Sequence, residues 1–479
     1  MSRSLSRRAF FKSAGAGLAA ATFAQHMQLV SRAEAKEPAG KPNIIFILAD
    51  DLGYGDLGCY GQKQIQTPNI DRLATQGMRF TDHYAGTTVC APSRCSLMTG
   101  LHTGHTYVRG NREVQPMGQL PLPAGTGTLP KMLKEAGYRT ALIGKWGLGG
   151  PDSTGTPNKQ GFDYFFGYLC QRHAHNYYPE FLFRNDERVP LKNEVPGGRL
   201  DGAGVATKKV EYSHDLIVEE ALKFVQKNKA GPFFLYLAVT IPHANNEGGK
   251  NGMEVPDYGI YADRNWPEPD KGRAAMIARL DRGVGRLMQK LKDLGIEDNT
   301  LVFFASDNGP HREGGANPEF FDSNGPLRGI KRDLYEGGIR VPLIARWPGR
   351  IKAGVVTDHA SAFWDFLPTC LEIAGAVPLA GTDGISLLPT LLGQSAWQRK
   401  HEFLYWEFHE GGSIQAVRMD RWKAVRPVGK PLELYDLQTD LGETKNVAGG
   451  HPEIVAKIEE CLTKARTESE FWPLKGGNS

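Results

Sequence analysis

Five apolar, β-rich runs recur along the chain with helical patterns between them, and this alternation restricts the fold more than any other feature. The runs cover residues 43–49, 139–144, 233–240, 300–306 and 341–346. Runs that are apolar at nearly every position suit parallel strands that are buried on both faces. Strands that alternate with helices indicate an α/β fold, with a large, mostly parallel mixed sheet flanked by helices.

Helical patterns fill the segments between these runs. Residues 67–77 and 128–137 each carry Pro near the start and Gly at the end, which is typical of helix boundaries. Residues 210–229 and 271–294 are long and amphipathic, so they predict two further helices.

The pattern changes past about Gly393, where short alternating segments replace the long apolar runs. Four such segments and one helical stretch follow, at residues 402–408, 414–419, 422–426, 433–437 and 452–467. Period-two alternation in short segments predicts antiparallel strands. We therefore expect a large domain over residues 41–393 and a small α+β subdomain over residues 394–479, with one antiparallel sheet and one helix.

The first 35 residues resemble a twin-arginine signal peptide. Arg7 and Arg8 precede a small-residue apolar run over residues 13–24, and Ala33-Glu34-Ala35 offers a cleavage site. The run is too short to span a bilayer. This pattern predicts a bacterial periplasmic or secreted protein without stable membrane insertion; a disordered basic tail is the alternative.

The charge of the chain argues against a nucleic-acid partner. The formal net charge is +4, but the first 35 residues hold five basic residues and one acidic residue. The remaining chain has equal numbers of basic and acidic residues, so we expect no binding to nucleic acid or to an anionic membrane surface.

Polar residues stand where four of the apolar runs end, and the carboxyl ends of parallel strands meet at one crevice. These residues are Asp50, Asp51, Lys145, His243, Asp307 and Asn308. Three carboxylates and an amide oxygen together suit a hard divalent cation such as Ca²⁺. Taken singly, each Asp is also compatible with a loop or a helix cap.

Residues 90–100 form the most informative segment. Pro92 near its start and Gly100 past its end predict a two-turn helix with Cys90 at the amino-terminal end. Backbone N–H groups there favour an anion, so we expect a lowered thiol pKa and a nucleophilic or redox role. A purely structural Cys is the alternative.

Cys90-x-Pro-Ser-Arg94 followed by Thr99-Gly100 closely resembles the signature of the type I, formylglycine-dependent sulfatases, which are arylsulfatase-like members of the alkaline phosphatase superfamily. The resemblance covers nearly the whole chain after residue 41, in order. It includes Asp50-Asp51-Leu-Gly-Tyr-Gly-Asp56, Gly144-Lys145-Trp146, His243, Asp307-Asn308-Gly309, residues 328–342 with Lys331, and residues 434–440.

The resemblance implies a sulfuric ester hydrolase with an aldehyde at position 90. In that family a formylglycine-generating or anaerobic sulfatase-maturating enzyme oxidises the Cys to formylglycine. One hydroxyl of the aldehyde hydrate attacks sulfur, the alcohol leaves, and the second hydroxyl then expels sulfate. The implied partner is a sulfated small molecule or glycan.

The resemblance also assigns roles around position 90. It implies that Ca²⁺ is held by Asp50, Asp51, Asp307 and Asn308 and contacts residue 90. It implies that Arg94 and Lys145 steady the hydrate and the sulfate, and that His243 and Lys331 contact the sulfate and stabilise the leaving oxygen.

One position departs from the family pattern. Many members continue Gly-Lys-Trp with a His that contacts the formylglycine, and here that position is Gly147. We predict that His175, or alternatively His173, occupies the vacated place. A substrate-facing or solvated loop His is the competing interpretation.

Loops above the crevice are expected to recognise the substrate. His311 and Arg312 follow the metal-binding segment, and Tyr177, Tyr178 and Trp266 add aromatic surface of the kind that stacks on sugars. We therefore predict a sulfated carbohydrate, with a galactose-type sugar sulfate favoured.

Three alternative functions stay open on the sequence. A phosphonate or phosphate ester hydrolase of the same superfamily shares the Cys90 signature. A catalytically silent binder of sulfated glycans is suggested by Gly147. A redox protein using Cys90 and Cys95 has the weakest support, because their spacing matches no recognised redox motif.

Overall fold

The structure is a computed structural model, and it describes residues 40–476. The predicted signal peptide of residues 1–35 lies outside them. The strands, in chain order, are β1 Asn43–Ala49, β2 Met78–Phe80, β3 His83–Tyr84, β4 Arg139–Lys145, β5 Tyr164–Tyr168, β6 Phe181–Arg184, β7 Glu187–Pro190, β8 Phe233–Ala238, β9 Thr300–Ser306, β10 Leu343–Arg346, β11 Val355–Thr357, β12 Ser361–Ala362, β13 Leu404–Phe408, β14 Ile414–Met419, β15 Trp422–Pro427 and β16 Glu433–Asp436.

Nine α-helices connect or cover these strands in the part of the chain that the structure describes. They are α1 Pro68–Thr75, α2 Cys90–Thr99, α3 Leu129–Glu135, α4 Ser213–Asn228, α5 Glu268–Asp293, α6 Glu336–Ile339, α7 Phe366–Ile373, α8 Leu388–Leu391 and α9 Pro452–Lys464. None of them has the length and apolar character needed to cross a membrane.

A ten-stranded mixed sheet has the order β11-β2-β10-β9-β1-β8-β4-β5-β6-β7. The five neighbouring strands β9, β1, β8, β4 and β5 run parallel. Their carboxyl ends therefore lie along one edge, as the sequence predicts. The strands β10, β6 and β7 pair antiparallel with their neighbours β9, β5 and β6, respectively.

The direction of β10 differs from the expectation of a parallel strand. The segment between β9 and β10 stays at the carboxyl edge of the sheet, because Lys331 on that segment contacts Asp51 at the end of β1. The chain therefore enters β10 from that edge, and the strand runs antiparallel to β9.

Two apolar cores lie on the two faces of the large sheet. Successive side chains of β1 point alternately into the two cores. Ile45 and Ile47 pack with α4 and α5 in one core, whereas Phe46 and Leu48 pack with α2 and α7 in the other. This double burial explains why β1 is apolar at every position after Asn43.

The four strands β13, β14, β15 and β16 form a separate antiparallel sheet in that order, as predicted. Ile458 and Leu462 of α9 pack on one face of this sheet. The other face, with Trp406, packs against Val89 and Trp364. Val89 directly precedes α2, so the small sheet supports the segment that carries Cys90. The domain boundary between residues 393 and 394 stays a prediction.

Candidate active site

The carboxyl ends of β1 and β9 are joined by hydrogen bonds between their backbones and side chains. The N–H of Asp307 donates to the carbonyl of Ala49 at 3.1 Å, and the N–H of Asp51 donates to Oδ1 of Asp307 at 3.1 Å. Asp50, Asp51 and Asp307 are all fully buried. The structure therefore brings together the three carboxylates that the sequence placed at strand ends.

Cys90 is the first residue of α2 and lies against this carboxylate cluster. Its Sγ is 3.3 Å from Oδ1 of Asp50. The helix is ten residues long, longer than the two turns predicted, and ends at Gly100, which has a φ of 70°. Ser93 fastens the helix to the end of β9, because its hydroxyl donates to the carbonyl of Asp307 at 2.6 Å.

The expected lowering of the Cys90 thiol pKa is wrong for the unmodified residue. Burial raises the pKa well above its usual value, and the charge of Asp50 adds to the rise. Burial also raises the pKa of Cys95, to about 11. All six cysteines are free thiols. Both buried thiols are therefore protonated at neutral pH, which argues against the redox alternative.

Three cationic side chains pair with the three carboxylates. Lys145 Nζ lies 2.6 Å from Oδ2 of Asp50, Arg94 lies 2.7 Å from Oδ2 of Asp307, and Lys331 Nζ lies 2.8 Å from Oδ2 of Asp51. All three cations are buried. Such pairs persist in a buried site because each charge has a close partner of opposite sign.

The pKa values of Asp50 and Asp307 show that the cations compensate these two carboxylates to different degrees. Burial raises the pKa of Asp50, but the charges of Lys145 and Arg94 outweigh it and hold the pKa well below its usual value. For Asp307, burial and the charge of Asp50 prevail over Arg94 and raise the pKa to about 7. Three carboxylates face three cations, so the cluster holds no excess of negative charge, but Asp307 is the carboxylate whose charge is compensated least, and an added cation beside it would favour its ionised form.

The donor atoms also fit a hard cation. The amide oxygen Oδ1 of Asn308 is buried and has no hydrogen-bond partner among residues 40–476. Its Nδ2 donates to Oδ1 of Asp51 at 2.7 Å, so the amide lies at the carboxylate cluster. Ligand atoms of Asp50, Asp51, Cys90 and His243 lie within 4.8 Å of one another. Carboxylate and amide oxygens are the ligands that Ca²⁺ prefers.

His243 and Lys331 form a hydrogen-bonded pair beside Asp51. His243 Nδ1 lies 2.6 Å from the carbonyl of Ala244, which fixes Nδ1 as the protonated nitrogen. Lys331 Nζ lies 3.1 Å from His243 Nε2. Burial and the charge of Lys331 lower the pKa of His243 to about 3. At neutral pH the imidazole is therefore neutral, and Lys331 is the charged member of the pair.

Only one of the two alternative histidines lies at this pair. The ring of His175 stacks on His243 with centroids 4.9 Å apart and planes 13° apart, and its Nδ1 lies 3.1 Å from Oε2 of Glu247. His173 is instead fully buried between Tyr168 and Phe181. The role predicted for His175 stays a prediction, but its position is compatible with that role and the position of His173 is not.

His311 and Arg312, the two loop residues among those predicted to bind substrate, lie in different surroundings. His311 is buried beside His243, with ring centroids 5.9 Å apart, and its Nε2 lies 3.1 Å from the carbonyl of Pro242. Arg312 is exposed and pairs with Glu319. Substrate contact by either residue stays a prediction.

Three charged residues at the crevice extend the predicted set. Glu313 lies 2.9 Å from Lys331 Nζ and 2.6 Å from Arg332, and Glu247 faces His175. The sequence offers a signal for Glu313 and Arg332, because each adjoins a predicted site residue. It offers none for Glu247, because 72 positions separate it from His175.

Two family profiles match the chain. The sulfatase profile matches residues 42–376, and the profile of the N-sulphoglucosamine sulphohydrolase C-terminal region matches residues 330–468. Together they cover both sheets of the described structure.

Curated relatives and solved structures agree with these profiles. Arylsulfatase A of Homo sapiens is 33% identical, covering 90% of this chain and 89% of the relative. The N-acetylgalactosamine-6-O-sulfatase of Bacteroides thetaiotaomicron is 32% identical, covering 89% of this chain and 93% of the relative. The crystal structure of Ps i-CgsB in complex with k-i-k-neocarrahexaose matches with a TM-score of 0.75 and 30% identity, covering 91% and 95% of the two chains.

A phosphonate monoester hydrolase of Agrobacterium radiobacter shares the fold at a TM-score of 0.61 and 22% identity, covering 89% of this chain and 95% of that one. At this identity the likeness concerns the fold alone. The family profile, the curated relatives and the buried cluster around Cys90 all agree on one assignment. The chain belongs to the sulfatase family and is a sulfuric ester hydrolase.

Proposed function

We propose that the protein removes sulfate from sulfated carbohydrates, using a formylglycine made from Cys90 and a Ca²⁺ ion. The observation that carries this proposal is the buried ring of carboxylates and cations around Cys90 at the end of the parallel strands. A sulfate monoester develops negative charge on its leaving oxygen, and fixed positive charges in a buried crevice lower the cost of that charge.

The Ca²⁺ ligands in this proposal are the side chains of Asp50, Asp51, Asp307 and Asn308, together with residue 90. The three converging carboxylates, of which Asp307 is the least compensated, and the buried amide oxygen of Asn308 support this set. The ion supplies positive charge that neutralises the carboxylates and attracts an anionic ester. Arg94 and Lys145 add two buried cations beside the ion ligands.

The properties of residue 90 support a modified side chain. A buried thiol with a raised pKa is a poor nucleophile at neutral pH. Formylglycine supplies a hydrated aldehyde, whose two hydroxyls provide both a nucleophile and an internal exit for sulfate. Asp307 is the proton acceptor in this proposal, because it belongs to the same buried cluster as residue 90, whose helix is joined to the carbonyl of Asp307 by the Ser93 hydroxyl. The maturation partner is a formylglycine-generating or anaerobic sulfatase-maturating enzyme.

Lys331 and His243 are the groups proposed to stabilise the leaving oxygen. The 3.1 Å contact between Lys331 Nζ and His243 Nε2 places the ammonium charge and the imidazole side by side. Lys331 holds its proton firmly, because the charges of Asp51 and Glu313 outweigh burial and raise its pKa. We assign His175 as an additional proton-transfer group at the same place, oriented by Glu247.

The carbohydrate assignment rests on the relatives. The names of two of them specify N-acetylgalactosamine-6-sulfate chemistry and a complex with neocarrahexaose. Tyr177 does not provide the sugar-stacking surface that the sequence predicts, because its ring is fully buried against Tyr212 and its hydroxyl donates to the carbonyl of His243. We propose a galactose-type sugar sulfate as substrate, with His311 and Arg312 in the surrounding loops, and twin-arginine export to the periplasm or medium.

A comparison of leaving groups tests the reaction class. The protein, purified from a host that makes formylglycine, is assayed on 4-nitrophenyl sulfate and 4-nitrophenyl phosphate, and then on galactose-type and other sugar sulfates. We expect turnover of the sulfate well above that of the phosphate, loss of activity with a chelator, and recovery with Ca²⁺. Preferred turnover of the phosphate or a phosphonate would assign the alternative hydrolase function instead.

A further inference from the structure

Gln171 carries a buried side-chain amide beside Gly147 and has no role in the proposed reaction described above. The residue is 7% exposed, and its backbone N–H donates to Oε1 of Gln119 at 2.8 Å. Its side-chain nitrogen Nε2 has no hydrogen-bond partner within the part of the chain that the structure describes. A buried amide nitrogen without a partner is costly to keep, so its position points to a ligand.

This amide occupies the space directly over Gly147. Gly147 has a φ of +84°, and a Cβ added there would lie 2.4 Å from Nε2 and 2.9 Å from Cδ of Gln171. The two segments are also joined by their backbones, because the N–H of Gly147 donates to the carbonyl of Leu169 at 3.2 Å. Gln171 therefore fills the volume from which a side chain at position 147 would grow.

The surroundings of Gly147 belong to the active site. Two residues earlier, Lys145 Nζ lies 2.6 Å from Asp50, which in turn contacts Cys90. Four residues after Gln171, the ring of His175 stacks on His243. The short segment from Gln171 to His175 therefore connects the residues after β4 with the pair of His243 and Lys331.

The chemistry of the amide matches the bound ester. Sulfate oxygens only accept hydrogen bonds, and a primary amide offers two N–H donors. An amide does not titrate between pH 5 and 9, so it binds an anion without exchanging a proton. It can therefore replace the anion-binding part of a His at position 147, but not proton transfer, which is left to the neighbouring histidines.

We propose that the side-chain amide of Gln171 donates a hydrogen bond to a sulfate oxygen of the bound ester and compensates for Gly147. This inference rests on the proposed sulfatase reaction and adds a sulfate-binding residue to it. It also explains why position 147 is glycine, because any side chain there would displace the amide.

Inorganic sulfate is the probe that tests this role. Gln171→Met keeps the length of the side chain but removes the donors, and Gln226→Met on the exposed surface of α4 is the matched control. We expect sulfate binding, measured by calorimetry and by inhibition of 4-nitrophenyl sulfate turnover, to weaken about tenfold or more in Gln171→Met, since hydrogen bonds to charged groups are worth about 1.5–3 kcal/mol. The control is expected to bind sulfate like the unmodified chain.

Gln171→Glu separates sulfate binding from a structural role. It has nearly the same shape, but its carboxylate repels sulfate at neutral pH and becomes a donor when protonated. We expect the ratio of its sulfate affinity to that of the parent protein, measured at the same pH, to rise as the pH falls through the carboxyl pKa of the introduced Glu. This variant also keeps the test decisive if Gln171→Met does not fold.

Two outcomes overturn the inference. One is sulfate affinity within about twofold of the parent in Gln171→Met at an unchanged thermal midpoint, a difference too small for a lost charged hydrogen bond. The other is a sulfate affinity of Gln171→Glu that changes with pH in parallel with that of the parent protein. Failure of the parent protein to hydrolyse any sulfate ester would instead refute the proposed function itself.

Discussion

At the scale of single residues, Lys331 is the charged group proposed to stabilise the leaving oxygen. Its ammonium contacts Asp51, His243 and Glu313 at distances between 2.8 and 3.1 Å. A charged donor at the leaving oxygen matters most when the leaving group is a poor one. An alkoxide needs a proton or strong stabilisation, whereas 4-nitrophenolate leaves readily.

Lys331→Met is therefore expected to act unequally on two substrates. We expect kcat/KM to fall by about 10²–10³ on a sugar sulfate, which is typical for loss of one charge-stabilising group, and by about tenfold on 4-nitrophenyl sulfate. Lys227→Met, at an exposed position of α4, is the control. Equal losses on both substrates would show that Lys331 does not act on the leaving group.

His175→Gln tests the second residue-level assignment. The variant keeps a hydrogen bond to Glu247 within reach but replaces the imidazole with an amide, which does not transfer protons. We expect kcat to fall by about 10²-fold on a sugar sulfate, within the usual range for general acid–base groups. His451→Gln, distant in the small subdomain, is the control. An unchanged kcat would mean that His175 serves only as a loop residue.

The residues at the strand ends could be predicted from the sequence, whereas properties that depend on burial and tertiary packing could not. Asp50, Asp307 and Lys145 could be predicted because they follow buried strands whose carboxyl ends must converge. The thiol pKa of Cys90 could not be predicted, because helix position favours the thiolate while burial, which only the fold reveals, opposes it more strongly. The contact of Gln171 with Gly147 depends on tertiary packing of two separate segments.

At the scale of elements, glycines at the carboxyl ends of β4 and β5 allow close approach of the strands. A Cβ at Gly144 would lie 1.9 Å from the carbonyl of Ala238 on β8, and a Cβ at Gly167 would lie 2.0 Å from the carbonyl of Gly144. These contacts hold the strand end that carries Lys145.

Gly144→Ala is expected to destabilise the protein far more than Gly137→Ala. Both glycines have positive φ, but a Cβ at Gly137 meets open space. The Gly137 variant should lose only the left-handed backbone preference, about 1–2 kcal/mol. The Gly144 variant adds a clash with backbone, so we expect a loss above about 4 kcal/mol or failure to fold. Urea denaturation measures both, and similar losses would contradict this account of the strand ends.

The elements themselves were predictable to different degrees. The strands β1 and β9 match the predicted bounds because they are buried on both faces and carry an unbroken apolar signal. The edge strand β7 and its neighbour β6 were not predicted; β7 is exposed or half-buried at every position, so its sequence lacks that signal. The antiparallel direction of β10 follows from the path of the preceding loop, which no local pattern reveals.

At the scale of the whole molecule, Glu407 connects the small sheet to the segment that follows α2. Its carboxylate accepts from Arg109 at 2.9 Å, Arg466 at 3.1 Å and Tyr405 at 2.8 Å. Burial raises the pKa of Glu407, but the hydrogen bond with His409 and the charge of Arg109 outweigh it and lower the pKa to about 2.

This lowered pKa sets the sign of a pH dependence. A carboxyl with a depressed folded-state pKa contributes stability above its unfolded pKa of about 4.5, and that stability is lost as the pH falls toward 2. We expect Glu407→Gln to lower the free energy of unfolding by about 3 kcal/mol at pH 7, with the difference from the parent shrinking between about pH 4.5 and pH 2.

Urea denaturation at several pH values measures this difference, with Glu453→Gln on the exposed start of α9 as the control. A difference that stays constant down to about pH 2 would mean that charge at Glu407 does not stabilise the contact between the small sheet and the segment that follows α2.

The state of residue 90 tests the central claim most directly. Mass spectrometry of the tryptic peptide covering residues 80–94, from protein made in a host with a maturation enzyme, distinguishes a thiol from an aldehyde. We predict the aldehyde, with sulfate ester turnover proportional to its fraction across preparations and absent in Cys90→Ala. Full turnover by protein whose residue 90 is entirely unmodified thiol would contradict the account.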